Sequence, residues 1–208
     1  MKFLKLHLLS AITVIGLSMT GFTVKANALD LNPLSAIKGA LEAAVEDRSG
    51  EDIAKDAEIR IKITADVIDK MGTDVISINA DVYEQDVLLT GVVEKDDQRD
   101  LAEAITGTVE GVKKIHNMIM IKDALDEEKG AVENFVDDSV IETKINALLL
   151  DGKGVNVTNF RWRSVGGHVF LFGRALSGAE KTKAIKIVKD IENVVTVKSL
   201  VKVKPLEE

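Results

Sequence analysis

The chain has no cysteine among its 208 residues. That excludes disulfides, thiolate metal sites, thiol nucleophiles and lipid attachment through an N-terminal cysteine. Aromatic residues are scarce at 4%, too few for the stacking platforms on which single-strand nucleic-acid binders rely. Positive charge is also in deficit. There are 27 Lys and Arg against 34 Asp and Glu, for a net charge of −7, whereas non-specific nucleic-acid affinity comes from neutralising phosphates. Histidine is nearly absent. Beyond residue 28 only His116 and His168 remain, and neither has a ligand partner at metal-binding spacing. No Walker loop, dinucleotide fingerprint or nucleophile elbow occurs. The segment from Asp151 to Asn159 lacks the D-x-D-x-D-G pattern and distal Glu of a calcium loop. A chain with no catalytic residues, no metal and no cofactor is therefore expected. Apolar residues make up 46% of it, enough to build a core.

The first 28 residues fix the expected compartment. Lys2 and Lys5 form a positive start, Leu6 to Met19 is largely apolar, and Ala26-Asn27-Ala28 offers small residues where a signal peptidase reads them. The apolar run is short for a membrane span of roughly 20 residues. Cleavage after Ala28 and a periplasmic product, peripheral on a membrane at most, are expected.

Most of the remaining chain is a tandem repeat. Residues 56–122 laid on 138–204 without a gap give sixteen identities in 67 positions, against about four at average residue usage. The division expected is a signal peptide (1–28), an N-terminal helical segment (29–55), domain one (56–122), an acidic linker (123–137), domain two (138–204) and a short tail (205–208). The helical segment carries Ile37, Leu41, Ala44 and Val45 on one face across Leu34–Val45.

Each copy reads alike. Asp56 or Asp138 stands before an apolar run at helical spacing, as an N-cap would. In copy two Ile141, Ile145 and Leu148 form that stripe. Next comes an alternating segment, with Phe160 and Trp162 facing inward. A turn, marked in copy two by Gly166-Gly167, leads to VLLTGVV (87–93) or VFLFGRA (169–175). A second helix is expected over 97–109 or 178–191. The last strand places Ile115, Ile119 and Ile121, or Val197, Val201 and Val203, on one side. His116 belongs to the other side and His168 to the turn. The fold class expected is α+β, with two small αββαβ domains. Each is a three-stranded mixed sheet, with a hairpin and a right-handed parallel crossover, carrying two helices on one face.

The pattern Asp-x-x-Ile-x-x-x-Ile, then Val-x-Leu-x-Gly, then an Ala-containing helix ending in Gly-Val-x-x-Ile-x-Asn, resembles the BON domain of bacterial envelope proteins. Copy one carries it through Val87, Leu89, Gly91, Gly111, Val112, Ile115 and Asn117. Copy two keeps Val169, Leu171, Gly173 and Val194 and has Asn193 and Ser199 at the last Gly and Asn positions. The resemblance implies phospholipid contact, envelope maintenance under osmotic or envelope stress, and no enzyme activity. It also points to the first helix of copy two as the lipid-facing element. There Val140, Lys144, Ala147 and Leu150 fall off the stripe, Leu149 borders it and Lys153 lies just beyond. Apolar groups beside Lys suit an anionic phospholipid surface, held weakly and in a salt-sensitive way. A secondary basic face lies on the last helix, with Lys181, Lys186 and Lys189 around Ile185.

Charge divides between the copies, −6 over 56–122 and +6 over 138–204. Two readings stand side by side. Copy two faces an anionic surface, or the copies attract each other. The uncovered sheet faces favour the second for the sheets themselves. Phe170, Phe172 and Leu200 in copy two would be an exposed apolar patch, and Leu88, Met118 and Met120 in copy one are the simplest cover. The function expected is a periplasmic, phospholipid-associating, non-catalytic protein, with no nucleic-acid partner. The alternative is a protein-interaction or chaperone-like factor that docks an acidic partner, including other envelope proteins.

Overall fold

The computed structural model describes residues 46–72, 77–130 and 137–205, without the side chains of 128–130. The signal peptide and the Leu34–Val45 helix lie outside the described residues. Copy one runs α1 (Gly50–Met71), β1 (Asn79–Tyr83), β2 (Asp86–Val93), α2 (Asp96–Gly107) and β3 (Lys114–Ile121). After α3 (Lys122–Gly130), copy two runs α4 (Asp138–Asp151), a 3-10 turn (Val157–Asn159), β4 (Phe160–Val165), β5 (His168–Ala175), α5 (Gly178–Lys189), β6 (Thr196–Ser199) and β7 (Lys202–Val203). In each copy the hairpin is antiparallel and the crossover pairing parallel, in the order β1-β2-β3 and β4-β5-β6, with β7 also on β5. The αββαβ unit thus occurs twice.

Each unit buries its own core between helices and sheet. In copy one Ile59, Ile63 and Val67 of α1 meet Val87 and Leu89 of β2 and Ala102 and Ile105 of α2. In copy two Ile141, Ile145 and Leu149 of α4 meet Val169, Leu171, Ala184 and Val188. Leu149 is therefore a core residue and Leu148 is 46% exposed, the reverse of the stripe expected from sequence. A helix turns 100° per residue, so the 141-145-149 row stays on one side while 148 sits at its rim. Val203 is exposed as well, because the last strand of copy two breaks at Leu200–Val201 into β6 and β7. His168 opens β5 rather than sitting in the turn.

Asp56 and Asp138 are not N-caps. Ser49 caps α1, well before Asp56, and Asp137 caps α4. The two aspartates instead reach across to the hairpin turn of their own copy. Asp138 accepts from the backbone N–H of Gly166 (2.7 Å) and Gly167 (2.9 Å) and from Ser164 Oγ (2.6 Å). Asp56 accepts from the N–H of Glu84 (2.8 Å) and Gln85 (2.8 Å), at the repeat-equivalent positions. Both turns need two successive residues at positive φ, which Gly166 and Gly167 adopt at 60° and 82° and Glu84 and Gln85 at 53° and 64°. A carboxylate fixed on two turn N–H groups helps hold the non-glycine turn in that conformation.

The glycine of Val-x-Leu-x-Gly has an equally local cause. A Cβ on Gly91 would lie 2.2 Å from the Ser77 carbonyl oxygen, and one on Gly173 would lie 2.2 Å from that of Asn159. The chain entering the first strand passes directly over the second, and both glycines also hold positive φ.

Candidate functional site

The two sheets meet through the faces that their helices leave open. Leu88, Met118 and Met120 of copy one share one apolar cluster with Phe170, Phe172 and Leu200 of copy two, joined by Tyr83, Val92, Leu125 and Val165. Leu125 comes from α3, so the connecting segment closes part of the seam that it spans. Phe172 is the hub. Its ring meets Tyr83 edge-on at 6.4 Å and His116 at 5.9 Å. Burial, then the neighbouring Lys114, lowers the His116 pKa against an opposing pull from Asp86. Burial pushes the Tyr83 hydroxyl up to about 12.

Around this seam the ion pairs that cross between the copies put the acid in copy one and the base in copy two. Arg163 grips Asp81 with two bonds, at 2.6 and 2.9 Å. Arg174 reaches Glu84 at 2.6 Å, and Lys202 reaches Asp86 at 2.9 Å and Glu84 at 3.5 Å. Asp81 and Arg163 are repeat-equivalent positions in direct contact, so they mark the centre of a near-two-fold arrangement. The residues just before α1 lash the seam from outside. Glu46 pairs with Arg161 and with Arg48, Arg48 also pairs with Asp56, and its guanidinium lies 3.8 Å over the Tyr83 ring. Asp47 pairs with Arg174 and Lys204 and donates its N–H to Asn159 Oδ1. Sequence reasoning misses this strap, because its partners in copy two are more than a hundred residues away and no spacing announces them.

With Arg161, Arg163, Arg174 and Lys202 engaged across the seam, most of the remaining exposed positive charge of copy two lies on its helical side. Three of its carboxylates are turned onto backbone N–H groups. Asp138 holds the turn, Glu142 accepts from Ser164 N at 2.9 Å, and Glu180 accepts from Asn156 N and Leu176 N, both at 2.6 Å. On α4, Leu150 is 69% exposed and Val140 42%, with Ala147 between them. Lys144 lies beside them, 3.7 Å from the exposed Glu192, and Lys153 is exposed just past the helix. Lys183 of α5 donates to the Lys153 carbonyl, drawing the two basic segments together. Lys186 and Lys189 are exposed. The rest of the secondary basic face is altered. Ile185 packs against the core of copy two instead of lying among the lysines, and Lys181 donates to the Val201 carbonyl at 2.6 Å. Of the lipid-facing set, Leu149 is removed by burial and Leu148 stands in the open.

Between the copies a polar cleft of about 460 Å³ is lined by Asp47, Glu84, Lys113, Arg174, Lys202 and Lys204 among others. Its charges are largely paired with one another. Among the described residues no group of three or more His, Asp or Glu could hold a metal ion, and no helix is long and apolar enough to cross a membrane.

The family model described as BON domain matches residues 55–123 and again 137–205. An uncharacterised protein of Anaplasma centrale, encoded in the gshII 5′ region, is 34% identical over 128 residues, 62% of this chain and 82% of that protein. Osmotically-inducible protein Y of Escherichia coli is 28% identical over 149 residues, 72% of this chain and 73% of that protein. A solved structure of CdsD, a structural protein of the type III secretion system of Chlamydia trachomatis, aligns at 12% identity with a TM-score of 0.31, covering 72% of this chain and 94% of that one.

Proposed function

The chain belongs to the BON domain family, with two copies in tandem, and on that premise we propose that it is a non-catalytic protein of the periplasm that touches anionic phospholipid weakly through copy two and supports the envelope under osmotic stress. The single observation that carries the lipid reading is the pairing, on α4, of exposed Leu150 and Val140 with Lys144 and Lys153. Each lysine near an anionic surface is worth about 1 kcal/mol, and the apolar groups add a shallow insertion. The stress role draws on the osmotically inducible relative, and the compartment on the leader-like first 28 residues.

The seam supports this choice of surface. The apolar residues of copy two's sheet face are covered by copy one, so lipid is left to meet a helical face. The seam also bears on the alternative, in which basic copy two docks an acidic protein, since the acidic surface its sheet face meets belongs to its own chain.

The test is cosedimentation with phosphatidylglycerol vesicles and with neutral vesicles, at low and high salt. Binding to anionic vesicles alone, lost in salt and lost in Leu150→Gln with Lys153→Glu, is the expected result. Absence of binding in every condition would refute the lipid reading and leave a protein partner.

A further inference from the structure

His116 puts a side chain that titrates near neutrality into the contact between the copies. It stands half-buried on β3, and its ring lies edge-on to Phe172 of copy two at 5.9 Å. The charged groups that face it come from four strands. Lys114 is on its own strand, Asp86 on β2, Lys198 on β6 and Lys202 on β7. Three of the four are ammonium groups, and two of those belong to copy two. The carboxylate among them, Asp86, is held by Lys202 at 2.9 Å, so that ammonium offsets its pull on the ring.

A neutral imidazole suits such a place. Protonation sets a fourth positive charge beside three others at a partly desolvated contact, where repulsion is less screened than in water. The repeat makes the same point. The equivalent of His116 in copy two is Lys198, which is exposed and keeps its permanent charge in water. The position that packs on Phe172 carries instead a residue able to lose its charge.

The ion pairs of the seam join carboxylates to Arg or Lys. Those side chains keep their charges well below neutrality, whereas His116 gains one. We propose that the contact between the copies is acid-sensitive, and that protonation of His116 in copy one loosens its hold on copy two. Burial first, and the lysines after it, hold the His116 pKa below the ordinary histidine value. Its contribution to stability is complete above that ordinary value and is lost as the pH falls through the folded one. Loosening uncovers Phe170, Phe172 and Leu88, which the seam buries. The lipid face on α4 plays no part in it.

The test is urea unfolding of the purified protein, as expressed and processed, followed by Trp162 fluorescence at about pH 7.5 and about pH 5.5. Trp162 packs against the core of copy two, so a histidine of copy one reaches its midpoint through the seam. The expected result is a midpoint that falls on acidification, and falls clearly less in His116→Gln. His168→Gln should keep the wild-type fall. Lys198→Glu puts a carboxylate in place of an exposed ammonium facing the ring. It should shrink the fall and, in NMR titration, raise the midpoint of the His116 ring protons. Equal falls in wild type and His116→Gln overturn the proposal. So does a Lys198→Glu protein whose His116 titrates as in wild type, since the ring would then not feel copy two. A fall abolished by His168→Gln assigns the sensor to His168 and overturns it as well.

Discussion

At the scale of single residues, Asp56 and Asp138 show how position alone can mislead. Each stands before an apolar row in sequence, where a cap would stand, yet each spends its carboxylate on the backbone of a turn 28 or 29 residues away. Asp138→Ala leaves two turn N–H groups of copy two without an acceptor and should cost about 2–4 kcal/mol in urea unfolding. Asp137→Ala, which removes the actual cap of α4, should cost about 1 kcal/mol. The reverse order would restore the capping role. Sequence showed that the aspartate recurs, because the repeat offset is constant. It could not show the carboxylate's partner, since a turn N–H leaves no mark in side-chain pattern. The exchange of Leu148 and Leu149 has a similar origin. Both are apolar and adjacent, and only the packing of α4 on α5 and the sheet decides which of them turns inward.

At the scale of elements, strands were more legible than helix ends. Period-two alternation places Phe170, Phe172 and Leu200 on one face of copy two, and those residues meet copy one in the structure. Helix α1 starts ahead of the repeat, at Gly50 with Ser49 as its cap, whereas α4 starts at Asp138 with Asp137 as its cap. The acidic connecting segment holds α3, whose Leu125 is buried in the seam. One leucine among charges gives no periodicity to detect. The glycine of the second strand is the element-scale feature with the clearest cost. Gly173→Ala forces a Cβ to within 2.2 Å of the Asn159 carbonyl at a φ of 104° and should destabilise copy two by more than about 3 kcal/mol. Gly178→Ala, with nothing within 4 Å, should be neutral. The fluorescence of Trp162, the one tryptophan of the chain, reports both, and equal melts for the two variants would contradict the close approach.

At the scale of the molecule, the division of charge was visible as two sums, whereas its use was not. Most of the cations on the sheet face of copy two are matched across the seam, and the lysines of α4 and α5 are left outside. Arg163→Asp places two carboxylates at the centre of the seam and should lower stability by about 2–4 kcal/mol. Adding Asp81→Arg to it should recover most of that loss. A double variant no better than the single would mean that the two side chains do not meet. The position of this pair also says something about ancestry and dosage. In a dimer of identical subunits, a residue on the symmetry axis faces its own duplicate, so aspartate would confront aspartate and arginine would confront arginine. Opposite charges can occupy that spot only when the two halves are separately encoded, and covalent linkage then supplies them in equal number at every translation. A nick between the halves would leave each half with an unmatched charge at its centre, and copy two with Phe170 and Phe172 beside it, so the covalent link keeps each charge beside its opposite.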